Sequence, residues 1–453
     1  MIAPQQLVEQ VLGGATVDET IVIVTDASEA SLRWAGNSMT TNGVSTLRTW
    51  TVISIVRVGD TARVGVVTSS SVDAADVGAV VRSAEGAARG ARPSSDSMPL
   101  LTGNGPDTNW DDPAAHTEIG AFEQLVQDLS RGFDGDDQLY GFAHHQLHTT
   151  WLGTSTGIRR RFAAPTGSVE INGKRGDASA WVGAGTKDFT DVASVKMLEE
   201  LSTRLDWARS RVELPAGRYE TILPPSAVAD LMIYLMWSME GRAAEEGHSA
   251  LSVPGGTRVG ERLSSLPLTL SSDPSAPGLE YAPFVVTESS SESVSVFDNG
   301  MDARRVEWVR HGIVNALAYP RAAAAEFGAE VAVPGENLVL DAGGAASLDE
   351  MVAETERGLL LTTLWYIREV DPATLLLTGL TRDGVYLIEE GTVTGAVNNF
   401  RFNESPLDLL RRTTQAGRTG RTLPREWKDW FTRTAMPPLR IPDFHMSSVS
   451  RAL

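Results

Sequence analysis

Three histidines in the segment HHQLH, His144, His145 and His148, have a type and spacing that could bind a metal. Two imidazoles four residues apart on a helix can share one ion. The surrounding LYGFAHHQLHTTWLGTSTG, with its threonines and aromatic residues, favours a strand instead. In a strand His144 and His148 share a face but lie about 13 Å apart, at roughly 3.3 Å per residue. That spacing is too long for one ion, and residues 138–169 contain no Asp or Glu.

The segment GTSTG, residues 153–157, matches the G-x-S-x-G pattern of a nucleophilic serine. That chemistry needs a strand, a sharp turn and then a helix that presents the hydroxyl. Here IRRRFAAPTGSVEING follows, and its alternation and Pro165 suit a second strand. We therefore predict that Ser155 is a hairpin-turn residue.

The segment 226–246 predicts a helix that is buried around most of its circumference. Pro224 and Pro225 precede Ser226, which we expect to cap the helix. Apolar residues recur at helical spacing and form a stripe, and further apolar residues extend this stripe around the helix. They are Val228, Leu231, Met232, Leu235, Met236 and Met239, together with Ile233, Tyr234 and Trp237. Residues 231–239 contain no His, Glu, Asp or Cys, so the pattern indicates a core helix without catalytic groups.

The composition excludes several classes of protein. A net charge of −19 disfavours binding to nucleic acid and to anionic membranes. The absence of cysteine excludes disulfides, thiol nucleophiles and cysteine-based metal sites. The most apolar window, 231–239, is too short to span a bilayer, and the N-terminal residues do not form a secretory signal. We expect a cytoplasmic protein.

The 453 residues are too many for one compact core, so at least two domains are expected. We predict an α+β fold. Residues 1–213 would form a sheet with flanking helices, interrupted by an exposed loop at about 91–116. Residues 214–453 would form a strand-rich domain around the buried helix. The Pro- and Gly-rich ELPAGRYETILPP lies at the border.

The order of these signals resembles the TldD/PmbA family, whose members are described as metalloprotease components and as modulators of DNA gyrase. The segments that carry the resemblance are spread over nearly the whole chain. They are LRWAGNSMTTNG, VRVGDTARVGVVTSSSVD, LPAGRYETILPPSAVADLM, EEGHSALSVPGGTRVGERLSSLPLTLSSDPS, VPGENLVLDAGGAASLDEMVAETERGLLLTT and TGLTRDGVYLIEEGTVTGAVNNFRFNESPLDLL.

The resemblance implies a comparison with the zinc-binding members. The TldD type carries HExxxH on the helix that follows this "LPP" strand, where two imidazoles and a carboxylate surround one zinc. In this chain those positions fall on Met232, Ile233 and Trp237, and no HExxxH occurs anywhere. A single buried His or Glu without metal would cost several kcal/mol, so complete apolar replacement is the consistent way to lose such a site. The pattern implies the PmbA (TldE) type, with no cofactor and no catalytic residue in this chain.

The resemblance further implies a non-catalytic subunit of a heteromeric zinc protease that acts on unfolded peptides. Its partner would be a TldD-type subunit carrying HExxxH and zinc, and the chain could form a homodimer when isolated. Trp237 and Glu240 would line a peptide cleft. Two alternatives remain open: a stand-alone hydrolase using His144/His148 or Ser155, and a regulatory protein that acts through protein contacts.

Overall fold

The computed structural model describes residues 2–71 and 73–450. It has mixed helices and strands in several sheets, so the predicted α+β class is confirmed. The elements before residue 210 are α1 (Pro4–Gly14), β1 (Glu19–Ala35), β2 (Met39–Val58), β3 (Thr61–Ser69), α2 (Ala74–Gly90), β4 (Gly105–Pro106), a 3₁₀-helix (Ile119–Phe122), α3 (Glu123–Phe133), β5 (Gln138–Thr154), β6 (Ile158–Arg175), β7 (Ala178–Thr186) and α4 (Ser194–Trp207).

The remaining elements belong to the C-terminal half. They are β8 (Arg211–Val212), β9 (Gly217–Leu223), α5 (Pro225–Trp237), α6 (Gly241–Glu245), β10 (Ser252–Val253), β11 (Gly256–Thr257), β12 (Thr269–Ser272), a second 3₁₀-helix (Val296–Asp298), β13 (Val306–Arg310), β14 (Ile313–Val314), α7 (Arg321–Phe327), β15 (Asn337–Asp341), α8 (Leu348–Ala353), β16 (Arg357–Leu361), β17 (Trp365–Asp371), β18 (Leu376–Leu380), β19 (Val385–Glu389), β20 (Thr392–Val397), β21 (Phe400–Glu404), α9 (Pro406–Arg412), β22 (Gln415–Ala416), β23 (Gly420–Thr422), β24 (Arg433–Met436) and β25 (Leu439–Val449).

The N-terminal sheet has the order β3-β2-β1-β5-β6, and β4 and β7 pair with different parts of β6. Its central strand β1 begins with the apolar run TIVIV, which is buried on both faces. Val22 and Val24 pack in the cluster that contains residues of α1 and α2. Ile21 and Ile23 pack on the opposite face, in a cluster with Phe297 of the C-terminal half. A strand covered on both faces has no reason to alternate apolar and polar residues.

The C-terminal half contains two larger sheets. One has the order β17-β18-β21-β25-β9-β16-β19-β20-β8, and the other has the order β14-β13-β12-β15-β24-β23. Buried residues of both sheets and of α5 form one continuous hydrophobic cluster. The predicted central buried helix is therefore present, and it is surrounded by strands.

The predicted helix at 226–246 is too long. α5 ends at Trp237, and α6 begins only at Gly241. The break forms because the backbone at 239–241 pairs with Ala318: the Ala318 amide donates to Met239 O at 2.7 Å, and the Gly241 amide donates to Ala318 O at 2.9 Å. These long-range hydrogen bonds replace the intrahelical ones. The proposed Ser226 cap is also absent, since Pro224 occupies the cap position.

The segment 91–116 is irregular apart from β4, and half of its residues are exposed. Leu100 and Trp110 are exceptions, because both side chains are buried. Trp110 O accepts a hydrogen bond from the buried indole of Trp151 at 3.1 Å, so this part of the loop packs on the sheet. The domain boundary at residue 213 stays a prediction; β8, just before it, already pairs with β20.

Within residues 2–71 and 73–450, helices of sufficient length and apolarity to cross a bilayer are absent.

Candidate functional site

Helix α5 places the three residues at 232, 233 and 237 in two different environments. Met232 and Ile233 are 1% and 0% exposed and lie in the C-terminal core. Trp237, at the last position of the helix, is 40% exposed and lines two neighbouring cavities. The sequence predicts all three side chains as part of a buried helix; Met232 and Ile233 are buried, whereas Trp237 is partly exposed.

Trp237 lies in a surface that we call the Trp237 cleft. It is formed by the aromatic side chains Tyr234, Trp237, Trp427 and Trp430 and by Glu240. The Trp237 and Trp427 rings meet edge to face with their centroids 5.0 Å apart, and Tyr234 lies about 6 Å from each. Trp430 is 78% exposed. Cavities of about 540 and 470 Å³ flank Trp237, and Glu240 lines both of them. Aromatic rings with exposed faces provide apolar contact area at small entropic cost.

Glu240 is a half-buried carboxyl at the base of the cleft. Burial raises its pKa above the ordinary value, and the nearby Glu292 carboxylate raises it further. The Ser293 hydroxyl donates to Glu240 Oε1 at 3.2 Å and partly offsets this rise. Glu240 is therefore an acidic group near apolar rings, placed to accept hydrogen bonds from a ligand.

Asp230 holds the Trp427 side of the cleft in place. Its side chain is fully buried on α5, and its Oδ1 accepts the backbone amide of Glu426 at 2.9 Å. The Trp427 indole donates to the backbone carbonyl of Asp230 at 2.8 Å. Glu426 in turn accepts the amides of Tyr366 and Ile367 at 3.1 Å. Burial raises the pKa of Asp230 well above its usual range.

The residues around Trp427 belong to a stretch that we call the joint segment, residues 423–433. It contacts the N-terminal half as well as α5. Lys428 pairs with Glu170 at 3.1 Å, and the hydroxyls of Thr166 and Thr432 are 2.6 Å apart. The joint segment thus connects the cleft to the N-terminal sheet.

Sequence reasoning missed the contribution of the joint segment. Its signal was REWKDWF, in which two tryptophans and a phenylalanine fall within five residues. The sequence showed no signal of a functional role for Asp230 on the predicted helix. Its role as an acceptor depends on a segment almost 200 residues away.

The histidine segment lies in β5, so the predicted strand is correct. His144 and His148 point to the same face, and Glu29 of β1 lies between them at 3.5 and 3.7 Å. The sequence could not reveal this acid, because only the pairing of Glu29 with Gln146 brings it there. Among the residues with described positions, no group of three or more His, Asp and Glu side chains is arranged to hold a metal ion.

His145 and Ser155 also have structural partners. His145 is buried between the Thr117 hydroxyl at 2.6 Å and Lys187 O at 3.0 Å, and burial lowers its pKa. Ser155 lies in the turn between β5 and β6, as predicted, and its hydroxyl oxygen accepts the Thr20 amide at 3.0 Å. A strand follows the turn where a nucleophilic serine would need a helix.

The side chains at the three motif positions of α5 offer no ligand atoms for zinc. Zinc in proteins takes nitrogen, oxygen or sulfur ligands from His, Asp, Glu and Cys. Met232, Ile233 and Trp237 offer none of these, and the chain has no cysteine. The residues at these three positions therefore do not fit a zinc ion.

The comparisons with known proteins agree on one family. The model of the PmbA/TldA metallopeptidase C-terminal domain matches residues 216–448, more than half of the chain. No curated protein matches the sequence. TldE from Thermococcus kodakarensis has a similar fold, with a TM-score of 0.78 and 17% identity over 98% of this chain and 99% of that one.

Two further structures have the same fold. A candidate modulator of DNA gyrase from Bacteroides thetaiotaomicron gives a TM-score of 0.74 at 15% identity over 98% of both chains. Another from Thermotoga maritima gives 0.73 at 14% identity, over 94% of this chain and 95% of that one. This chain belongs to the PmbA/TldD metallopeptidase family.

Proposed function

We propose that this chain is the non-catalytic subunit of a zinc peptidase, that it binds unfolded peptides in the Trp237 cleft, and that a TldD-type partner with HExxxH supplies the zinc. The observation that carries this proposal is the burial of Met232 and Ile233, which are 1% and 0% exposed. They occupy the positions at which a TldD-type subunit has the first two residues of HExxxH. Restoring a charged ligand there would require desolvating it inside a packed core.

The cleft supports peptide binding by strand addition. β17 is the last strand at one edge of its sheet, and its residues Ile367, Arg368 and Glu369 line the same cavity as Trp237. The amides of Tyr366 and Ile367 already bond to Glu426, so an extended peptide would pair with the remaining backbone groups of this edge. Such backbone hydrogen bonds do not depend on the peptide sequence. The aromatic rings then contact apolar side chains of the peptide.

The first experiment measures zinc content and peptide cleavage for the isolated chain, for the HExxxH paralogue and for their mixture. We expect no stoichiometric zinc and no cleavage with this chain alone, and cleavage of an unfolded fluorogenic peptide in the mixture. Full activity of the isolated chain that a chelator abolishes would overturn the proposal.

The second experiment locates the binding surface. Trp237→Ala and Trp430→Ala should each weaken binding of an unfolded peptide about tenfold, because each removes an exposed aromatic face. Val195→Ala, an exposed apolar residue on α4, is the control. Equal affinity in all three variants, measured by fluorescence anisotropy, would place peptide binding elsewhere.

His148→Ala and Ser155→Ala should leave the mixture fully active, and loss of cleavage would favour the hydrolase alternative.

A further inference from the structure

A third cavity, which we call the arginine cavity, lies on the N-terminal side of the joint segment. Its volume is about 540 Å³. One wall is formed by residues between 172 and 180, at the end of β6, in the turn and at the start of β7. The other wall is formed by Trp365, Arg382, Asp383, Asn399 and Arg425. The wall residues thus come from both halves of the molecule.

Arg425 is held in this cavity by aromatic rings. Its guanidinium carbon lies 5.4 Å from the ring centroid of Trp181 and 5.5 Å from that of Trp365. Its backbone amide is fixed by the Asp230 carboxylate at 3.3 Å. Aromatic rings contact the faces of a guanidinium and leave its edge free. The N–H groups along that edge can donate to two oxygens of one ligand group.

The N–H donors of this guanidinium lack acceptors. Nη1 of Arg425 is buried without a hydrogen-bond partner, and so is the indole nitrogen of Trp365. Within the described part of the chain, Arg425 forms no side-chain hydrogen bond and no ion pair within 4.0 Å. Buried donors of this kind cost free energy unless an acceptor is supplied.

The charges around Arg425 point to the same conclusion. Burial lowers the pKa of Arg425, the nearby carboxyl groups of Glu170, Asp383 and Asp230 raise it, and the like charge of Arg382 lowers it. Lys174 also lines the cavity, so its cations outnumber the two carboxylates, Asp177 and Asp383. Neighbouring cations repel each other, and a bound anion removes that repulsion.

We infer that the arginine cavity binds an oxyanion, a carboxylate or a phosphate group, through the guanidinium groups of Arg425 and Arg382. Paired N–H groups of arginine match the paired oxygens of both groups. The inference goes beyond the proposed function, because it requires neither the zinc-bearing partner nor the Trp237 cleft.

The test uses the full chain and isothermal titration calorimetry with three probes: acetyl-Ala-Ala with a free carboxylate, the same dipeptide as its C-terminal amide, and inorganic phosphate. We expect saturable binding of the free acid, of phosphate, or of both, and none of the amide. Binding of the free acid identifies a carboxylate site, and binding of phosphate alone identifies a phosphate site.

Three variants tie the binding to the cavity. Arg382→Gln, at an exposed turn, should weaken it about tenfold or more without affecting folding, and Arg425→Gln should do the same. Arg82→Gln, on the exposed face of α2, should leave it unchanged. The inference is overturned if neither oxyanion binds, if the amide shows saturable binding, or if Arg382→Gln binds the oxyanion like the natural protein.

Discussion

At the scale of single residues, the side chain at 233 decides whether α5 can carry a charged ligand. Ile233 is 0% exposed within the C-terminal core. Ile233→Glu should lower the free energy of unfolding by about 4 kcal/mol or more, because it buries a carboxyl group without a partner. Val195→Glu on α4 makes the same change at an exposed position and should cost about 0.5 kcal/mol or less. Urea unfolding measures both, and equal effects would show that the site at 233 tolerates charge.

The buried carboxyl of Asp230 makes stability depend on pH. Burial holds its pKa in the folded protein well above the ordinary value of an aspartic acid, about 3.9. The folded state therefore binds more protons than the unfolded state between these two values. The contribution of Asp230 is fully present below pH ~3.9 and is lost as the pH rises through the raised pKa.

Asp230→Asn tests this contribution, because an amide does not titrate. The stability of the natural protein minus that of the variant should fall as the pH rises above about 4. Asp111→Asn, which removes a carboxyl group at an exposed position of the loop, is the matched control. Unfolding free energies measured across the pH range decide the matter, and a difference for Asp230→Asn that rises with pH would contradict the raised pKa.

At the scale of elements, the break between α5 and α6 positions Glu240 at the cleft. It requires a close approach at Gly241, where an added Cβ would lie 2.3 Å from the ring of Tyr319. Gly241→Ala should therefore destabilise the protein by about 1–3 kcal/mol, as overpacking does. Gly86→Ala in α2, where nothing lies within 4 Å of the added Cβ, should stabilise it by about 0.5–1 kcal/mol. The midpoints of thermal unfolding should shift in opposite directions for the two variants. An unchanged midpoint for Gly241→Ala would show that the backbone at the break between α5 and α6 can adjust to the added methyl group.

At the scale of the whole molecule, the joint segment couples the two halves. Lys428 and Glu170 pair at 3.1 Å with both side chains about 20% exposed. A double-mutant cycle with alanine should give a coupling of about 1 kcal/mol. The pair Arg209–Asp206 at the end of α4 is 70% and 54% exposed, and its coupling should be close to zero. Similar coupling energies for the two pairs would show that the Lys428–Glu170 contact stabilises the protein no more than an exposed ion pair does.

The sequence by itself determined the features that depend on neighbouring residues. The apolar spacing of 226–239 predicted a buried helix, the residues around His145 predicted a strand, and those after Gly157 predicted a hairpin at Ser155. The missing donors at Met232, Ile233 and Trp237 can be read directly from the residue types. Such patterns work because a helix or a strand is formed by local hydrogen bonds and a local period of burial.

Only the tertiary structure decided which distant residues meet. The pairing of Ala318 with the backbone at 239–241 ends α5, although the apolar pattern continues to Met239. The register of β1 against β5 brings Glu29 between two histidines, and the buried Asp230 draws Trp427 to Trp237. The physical reason is that backbone amides and buried carboxyl groups bond to whichever partner the fold brings near, and that partner can lie anywhere along the chain.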